Sequence, residues 1–179
     1  MAESIEQDLR YPIGHLNIET EITRDMIISF IHDIKMLPDN LRNAIEGLSL
    51  AQLNTSYRPG GWTISQVVNH LPDSHMNSYI RFKLALTENN PVIKPYDESK
   101  WAELADSFNT PVSISVDLIS SLHARWVNLL NSLSPDDFKK SFRHPEVGLV
   151  SLEKALAIYA WHGKHHVAHI TSLRQRMSW

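Results

Sequence analysis

The chain has 179 residues, an apolar fraction of 42% and a charged fraction of 21%, which suits one globular domain with a core of its own. A net charge of −3 gives no basic excess to grip a phosphate backbone, and the lack of cysteine excludes disulfides and thiolate metal ligands. No apolar run approaches the roughly 20 residues that span a bilayer, and the opening MAESIEQDLRYPIGH lacks the apolar core of a secretory leader, so a cytoplasmic protein with neither nucleic-acid nor membrane partners is expected.

Helical periodicity dominates the chain, and alternating β patterns are weak. A first helix is predicted over residues 23–36, with Ile27, Ile28, Phe30, Ile31 and Ile34 on its apolar face. Pro38 suits the first turn of a continuation, where a missing N–H is harmless, and Leu41, Ala44 and Ile45 carry that continuation to Gly47. A second helix opens after Gly60-Gly61-Trp62, where Thr63 and Gln66 have capping-box spacing, and runs to about Leu86 before Asn89-Asn90-Pro91 stops it. A loop with a short helix over residues 99–104 follows. A third helix opens at Thr110-Pro111, is lined by Ile114, Leu118, Leu122, Trp126, Leu129 and Leu133, and ends at Ser134-Pro135. After a short turn at residues 136–138 and an irregular stretch, SFRHPEVGLV, a fourth helix runs from Ser151 to Met177. The expected architecture is all-α: a four-helix bundle in one domain over residues 1–179, with long connecting loops that shape a site.

The fourth helix contains WHGKHHVAH, residues 161–169, which holds four of the ten histidines. Successive helical residues turn by about 100°, so with His162 at zero His166 falls at about +40°, His169 at about −20° and His165 at about −60°. That face overlaps the apolar one through Tyr159, Ile170 and Leu173, so at least two imidazoles point inward. A pair at i and i+4 can chelate one metal ion, and neutral imidazole suits zinc, nickel, copper or iron. The spacing leaves His162/His166 and His165/His169 equally open, and histidines that merely satisfy a polar core are the competing reading. HGKHH lacks the glutamate of HExxH, which argues against a peptidase of that class.

His70 is the best candidate for a further ligand. It shares a helix side with Asp73, Asn77 and Arg81. That stripe is either a solvated face or, if His70 faces the core, a pocket wall. In the second case Asp73 can accept the other ring N–H of His70, while Asn77 and Arg81 bind a polar or anionic substrate group. His75 stands about 140° round the helix from His70 and is not expected to share its ion. Pro72 removes a backbone hydrogen bond and clashes with the Val68 carbonyl, at a cost of about 3 kcal/mol, so the helix is expected to kink beyond His70 or to start later.

Four stretches together resemble the YfiT group of the DinB-like superfamily over nearly the whole chain: YPIG (11–14), YRPGGWTISQVVNHLPDSHMNSYIRFK (57–83), PYDE (95–98) and WHGKHHVAHI (161–170). The resemblance implies a four-helix bundle that holds one divalent ion per chain, zinc or nickel, through His70, His162 and His166. His165 and His169 then stand beside the site, and Asp73, Asn77 and Arg81 are pocket candidates. It further implies a metal-dependent hydrolase, often homodimeric, acting on a small molecule. Related proteins imply an alternative, a low-molecular-weight thiol S-transferase of the bacillithiol type that uses the same ion to hold a thiolate. Pro72 departs from the small helix former usual at its position and is expected to shift the helix and Asp73 with it. Three neutral ligands leave an open coordination position, which marks a catalytic site. A second alternative, a non-enzymatic, metal-stabilised dimeric stress-response module, requires a full shell with His165 or His169 as fourth ligand.

Overall fold

In the computed structural model, which describes residues 8–18 and 21–179, Thr23 caps α1 (Arg24–Ile45) by accepting from the Met26 amide. The start of the stretch read against a secretory leader lies outside the described residues. α1 is one continuous helix with Pro38 buried in its middle, not a helix and a continuation. Proline brings no N–H to the Ile34 carbonyl four residues back. A ring nitrogen of His123 takes that donor's place, 2.6 Å from the carbonyl oxygen. A tertiary contact that local sequence does not display therefore accommodates the proline.

A short helix, α2 (Leu50–Leu53), follows with its own capping box from Ser49 and Gln52. The Thr63/Gln66 capping box opens α3 (Ile64–Thr87) as its spacing predicts. α3 also passes through a buried proline, Pro72, without starting later or ending there. Its polar side is only partly solvated, with Gln66, Asn69 and His70 buried and Asp73, Asn77 and Arg81 half-buried. Gln66 Nε2 donates to the Ala102 carbonyl at 2.9 Å, Asn69 Nδ2 donates to the Ser107 carbonyl at 2.9 Å, and Ser115 Oγ donates to Asn69 Oδ1 at 2.7 Å. The first two bonds clamp α4 (Glu98–Ala102) and α5 (Ala105–Asn109) over α3.

α6 (Val112–Asn131) starts one residue later than its Thr-Pro signal suggests, with Pro111 as cap. Its buried side also differs from the leucine-based reading. Ile114 and Leu118 are exposed, and Ser115, Val116, Ile119, His123, Trp126 and Leu130 face the core. The true stripe contains a serine and a histidine, so counting apolar residues rotates the face away from it. After α7 (Pro135–Lys139), the stretch read as irregular forms an antiparallel hairpin, β1 (Ser141–His144) and β2 (Gly148–Ser151), with Phe142 opposite Val150. Gly148, at φ 80°, supplies the left-handed turn. Ser151 then caps α8 (Leu152–Met177), as expected.

The four long helices follow the cyclic order α1, α8, α3, α6. α1 and α3, consecutive long helices in sequence, therefore sit across the bundle from each other, as do α6 and α8. The interior holds two apolar clusters. One contains Ile34, Phe82, Trp126 and Leu156, and the other contains Leu41, Ile64, Leu71, Ile119 and Ile170. Buried His75 and His123 hydrogen-bond to each other in this interior. No helix among the described residues is long and apolar enough to cross a membrane.

Candidate metal centre

α3 and α8 are neighbours, and His70 on α3 faces His162 and His166 one turn apart on α8. These three are the one group among the described residues whose nitrogens could hold a metal ion, with one ligand atom from each lying within 4.8 Å of the others. His70 Nε2 and His162 Nε2 are 3.3 Å apart. Two nitrogens bound to one tetrahedral ion at about 2.0–2.1 Å stand at roughly that separation. The His162 and His166 rings meet edge to face at 4.5 Å, and those of His70 and His166 at 4.9 Å. His166 Nδ1 is buried with no hydrogen-bond partner. The donor set therefore fits a divalent ion of the imidazole-binding class.

Gly163 explains how the helix bearing this pair reaches its place. A Cβ there would lie 2.6 Å from Leu37 Cδ2 and 3.1 Å from Cδ1. Without a side chain at 163, α8 packs close on α1 and keeps His162 turned toward α3. Trp62, just before α3, covers the His70 ring at 4.8 Å and lies nearly parallel to His166 at 6.4 Å.

Burial holds all three imidazoles neutral, as metal binding requires. It lowers His70 to about 4, and His162 and His166 fall well below the usual value through burial first and neighbouring imidazoles second. Asp73 behaves oppositely: burial and the nearby Asp106 carboxylate raise it to about 6. Its side chain makes no hydrogen bond to His70 among the described residues, so the expected carboxylate clamp on that ring is absent from this structure. Asn77 Nδ2 donates to the Asp73 backbone carbonyl at 2.9 Å. Arg81 lines a separate cavity of about 330 Å³ with Tyr96, Glu98, His144 and Glu146.

His165 and His169 are buried beside the cluster, their Nδ1 atoms also without hydrogen-bond partners, and their rings pack against the chain's N-terminal side. His169 Nε2 donates to the Arg10 carbonyl at 3.0 Å, and its ring stacks on Tyr57 at 4.0 Å. His165 stacks on Trp161 at 4.4 Å and approaches Tyr11 at 5.7 Å. Together they hold the YPIG segment against α8. Between that segment and the Gly60-Gly61 turn opens a cavity of about 430 Å³, lined by Tyr11, Tyr57, Arg58, Trp62 and His166. Arg58 donates to Tyr57 Oη and to the Pro59 carbonyl, and no ion pair of Arg58 with a carboxylate is formed among the described residues.

Two residues outside the sequence-based candidates complete the cluster. His75 Nε2 is 3.2 Å from His162 Nδ1, and His75 Nδ1 is 2.9 Å from His123 Nε2. His75 thus turns inward despite its angle from His70, because His162 lies between them and offers each a different nitrogen. The signal for His123 is present in the sequence: it falls on the Ile119–Trp126–Leu130 stripe.

Comparison with known proteins agrees with this geometry. A family model for the DinB superfamily matches residues 34–170. A Bacillus cereus protein named "Putative metal-dependent hydrolase" is 59% identical over 172 residues, covering 96% of this chain and 99% of its own. The solved structure of YfiT from Bacillus subtilis, described as a probable metal-dependent hydrolase with an unusual four-helix bundle topology, superposes with a TM-score of 0.93 at 48% identity, over 96% of this chain and 98% of that one. A mycothiol-dependent maleylpyruvate isomerase shares the fold, with a TM-score of 0.64 at 14% identity over 80% of this chain and 60% of that one.

Proposed function

The chain belongs to the DinB superfamily, and on that premise we propose that it is a metal-dependent hydrolase of a small molecule, with zinc or nickel held by His70, His162 and His166. One observation carries this: the candidate ligand group has three members and all are neutral imidazoles. Three neutral ligands leave the ion its full charge and an open position, the composition of catalytic sites. Neither His165 nor His169 belongs to that group, and the Nε2 of His169 is committed to the Arg10 carbonyl, which counts against the closed shell of a purely structural metal. When bound, such an ion supplies Lewis acidity, polarising water or a substrate oxygen at neutral pH.

The protein residues supply position and charge. Trp62 covers the His70 ring and restricts water on that side. Tyr11 and Tyr57 wall the cavity that reaches His166. Arg58 brings a cation to the same cavity, suiting a substrate with an anionic or strongly polarised oxygen away from the scissile bond. The experiment is turnover of an ester and amide panel by zinc- or nickel-loaded protein in buffer free of thiols, beside His166→Ala. Metal-dependent turnover in the parent and none in the variant supports the reading. Activity confined to thiol-containing mixtures would replace it with the S-transferase reading, and a metal bound by four protein groups would replace it with the structural one.

A further inference from the structure

A single file of hydrogen bonds crosses the bundle behind the metal site. It runs from the Ile34 carbonyl on α1 to His123 Nδ1 on α6 at 2.6 Å, from His123 Nε2 to His75 Nδ1 on α3 at 2.9 Å, and from His75 Nε2 to His162 Nδ1 on α8 at 3.2 Å. Every long helix contributes one member. His75 is fully buried and His123 nearly so, and no carboxylate takes part.

The polarity of this file is determined from either end. A carbonyl only accepts, so His123 Nδ1 carries a proton. A neutral His123 then accepts at Nε2, so His75 Nδ1 carries a proton and its Nε2 accepts from His162 Nδ1–H. That leaves the lone pair of His162 on Nε2, the nitrogen that faces His70. Working back from the site gives the same answer, because a ring that ligates through Nε2 must keep its proton on Nδ1. Residue 38 is proline and brings no N–H to the Ile34 carbonyl, so His123 meets no helical competitor there.

We propose that this three-histidine file presets the tautomer and orientation of His162 from across the bundle, with His75, His123 and Pro38 as positioning residues for the metal site. The inference rests on His162 being a ligand, as proposed above. Metal-ligating histidines ordinarily get this service from one adjacent carboxylate or carbonyl. Here it comes from a backbone carbonyl three bonds removed, on a helix that supplies no ligand.

The test is proton placement, read by long-range ¹H–¹⁵N correlation NMR on ¹⁵N-histidine-labelled protein, zinc-free and zinc-loaded. Neutral histidine in water prefers the proton on Nε2. The expected result is the opposite on His75, His123 and His162 in both states. A proton on Nε2 of any of the three in the zinc-free protein overturns the inference, whatever the zinc affinity. Failure of the parent to bind zinc or nickel overturns the metal reading instead. His123→Leu, checked for helicity, should release the His75 tautomer and raise the zinc Kd roughly 10–100-fold. Pro38→Ala restores an N–H that competes for the Ile34 carbonyl, so it should weaken zinc binding in the same direction. A merely structural proline would leave zinc affinity unchanged, and that result also overturns the inference.

Discussion

His70 Nε2 and His162 Nε2 stand 3.3 Å apart on two helices, 92 residues distant in the chain. Two lone pairs at that distance repel unless a proton or a cation lies between them. An ion that binds the folded arrangement and not the unfolded chain stabilises it by mass action, by about 2.7 kcal/mol at a hundredfold excess over Kd. For a chain of this size that is a rise in Tm of roughly 5–10 °C. Thermal scans with zinc or nickel should show it for the parent and lose it in His70→Ala, with bound metal falling from one ion per chain to near zero by elemental analysis.

Gly163 carries a packing prediction. A methyl group there meets Leu37 at 2.6 Å, and overpacking of that kind costs about 1–3 kcal/mol. Alanine returns up to about 1 kcal/mol of helix propensity. Gly163→Ala should therefore lose up to about 2 kcal/mol in urea titration, and trimming Leu37→Val in the same chain should recover part of it. Zinc affinity should fall in the single variant, because α8 is displaced beside His162.

Asp73 gives a pH signature. Its carboxyl is raised from 3.8 to about 6 by burial and by Asp106. The native state therefore binds more protons than the unfolded chain in that interval, and stability falls as pH rises from about 4 to 6. Asp73→Asn should remove this slope. At pH 7 it should be more stable than the parent by about 1 kcal/mol, a figure reduced from the full shift because the side chain is partly solvated.

Arg58 lines the cavity that reaches His166 without a carboxylate partner among the described residues. If it positions an anionic substrate group, Arg58→Ala should raise KM about 5–20-fold for anionic esters, leave neutral ones nearly unchanged and leave kcat within about twofold. Steady-state kinetics on a matched pair of charged and neutral esters reads the difference.

Much of this site was legible in the sequence because α8 is regular. A 3.6-residue period places His162, His166 and the stripe through Ile170 on one face, and the structure keeps that face inward. Helical spacing left His162/His166 and His165/His169 equally open, and the resemblance to the YfiT group supplied the choice, which in physical terms depends on what α3 and the YPIG segment place opposite each imidazole. The same limit hid His75 and misphased α6, whose buried stripe includes Ser115 and His123 for the sake of partners on α3 and α1. Pro38 and Pro72 read locally as breaks, yet both lie inside continuous helices. At Pro38 the freed carbonyl has a partner, and that partner sits far away in sequence. The β1–β2 hairpin escaped because four-residue strands carry too little alternation to register.

The most direct measurement is the hydrolysis rate of an ester or amide substrate by metal-stripped protein, before and after one equivalent of zinc or nickel, with no thiol present. The account predicts negligible turnover in the stripped protein, recovery on adding metal, and no recovery in His162→Ala. Turnover that survives stripping, or that appears only when a low-molecular-weight thiol is added and yields a thioether product, would contradict it.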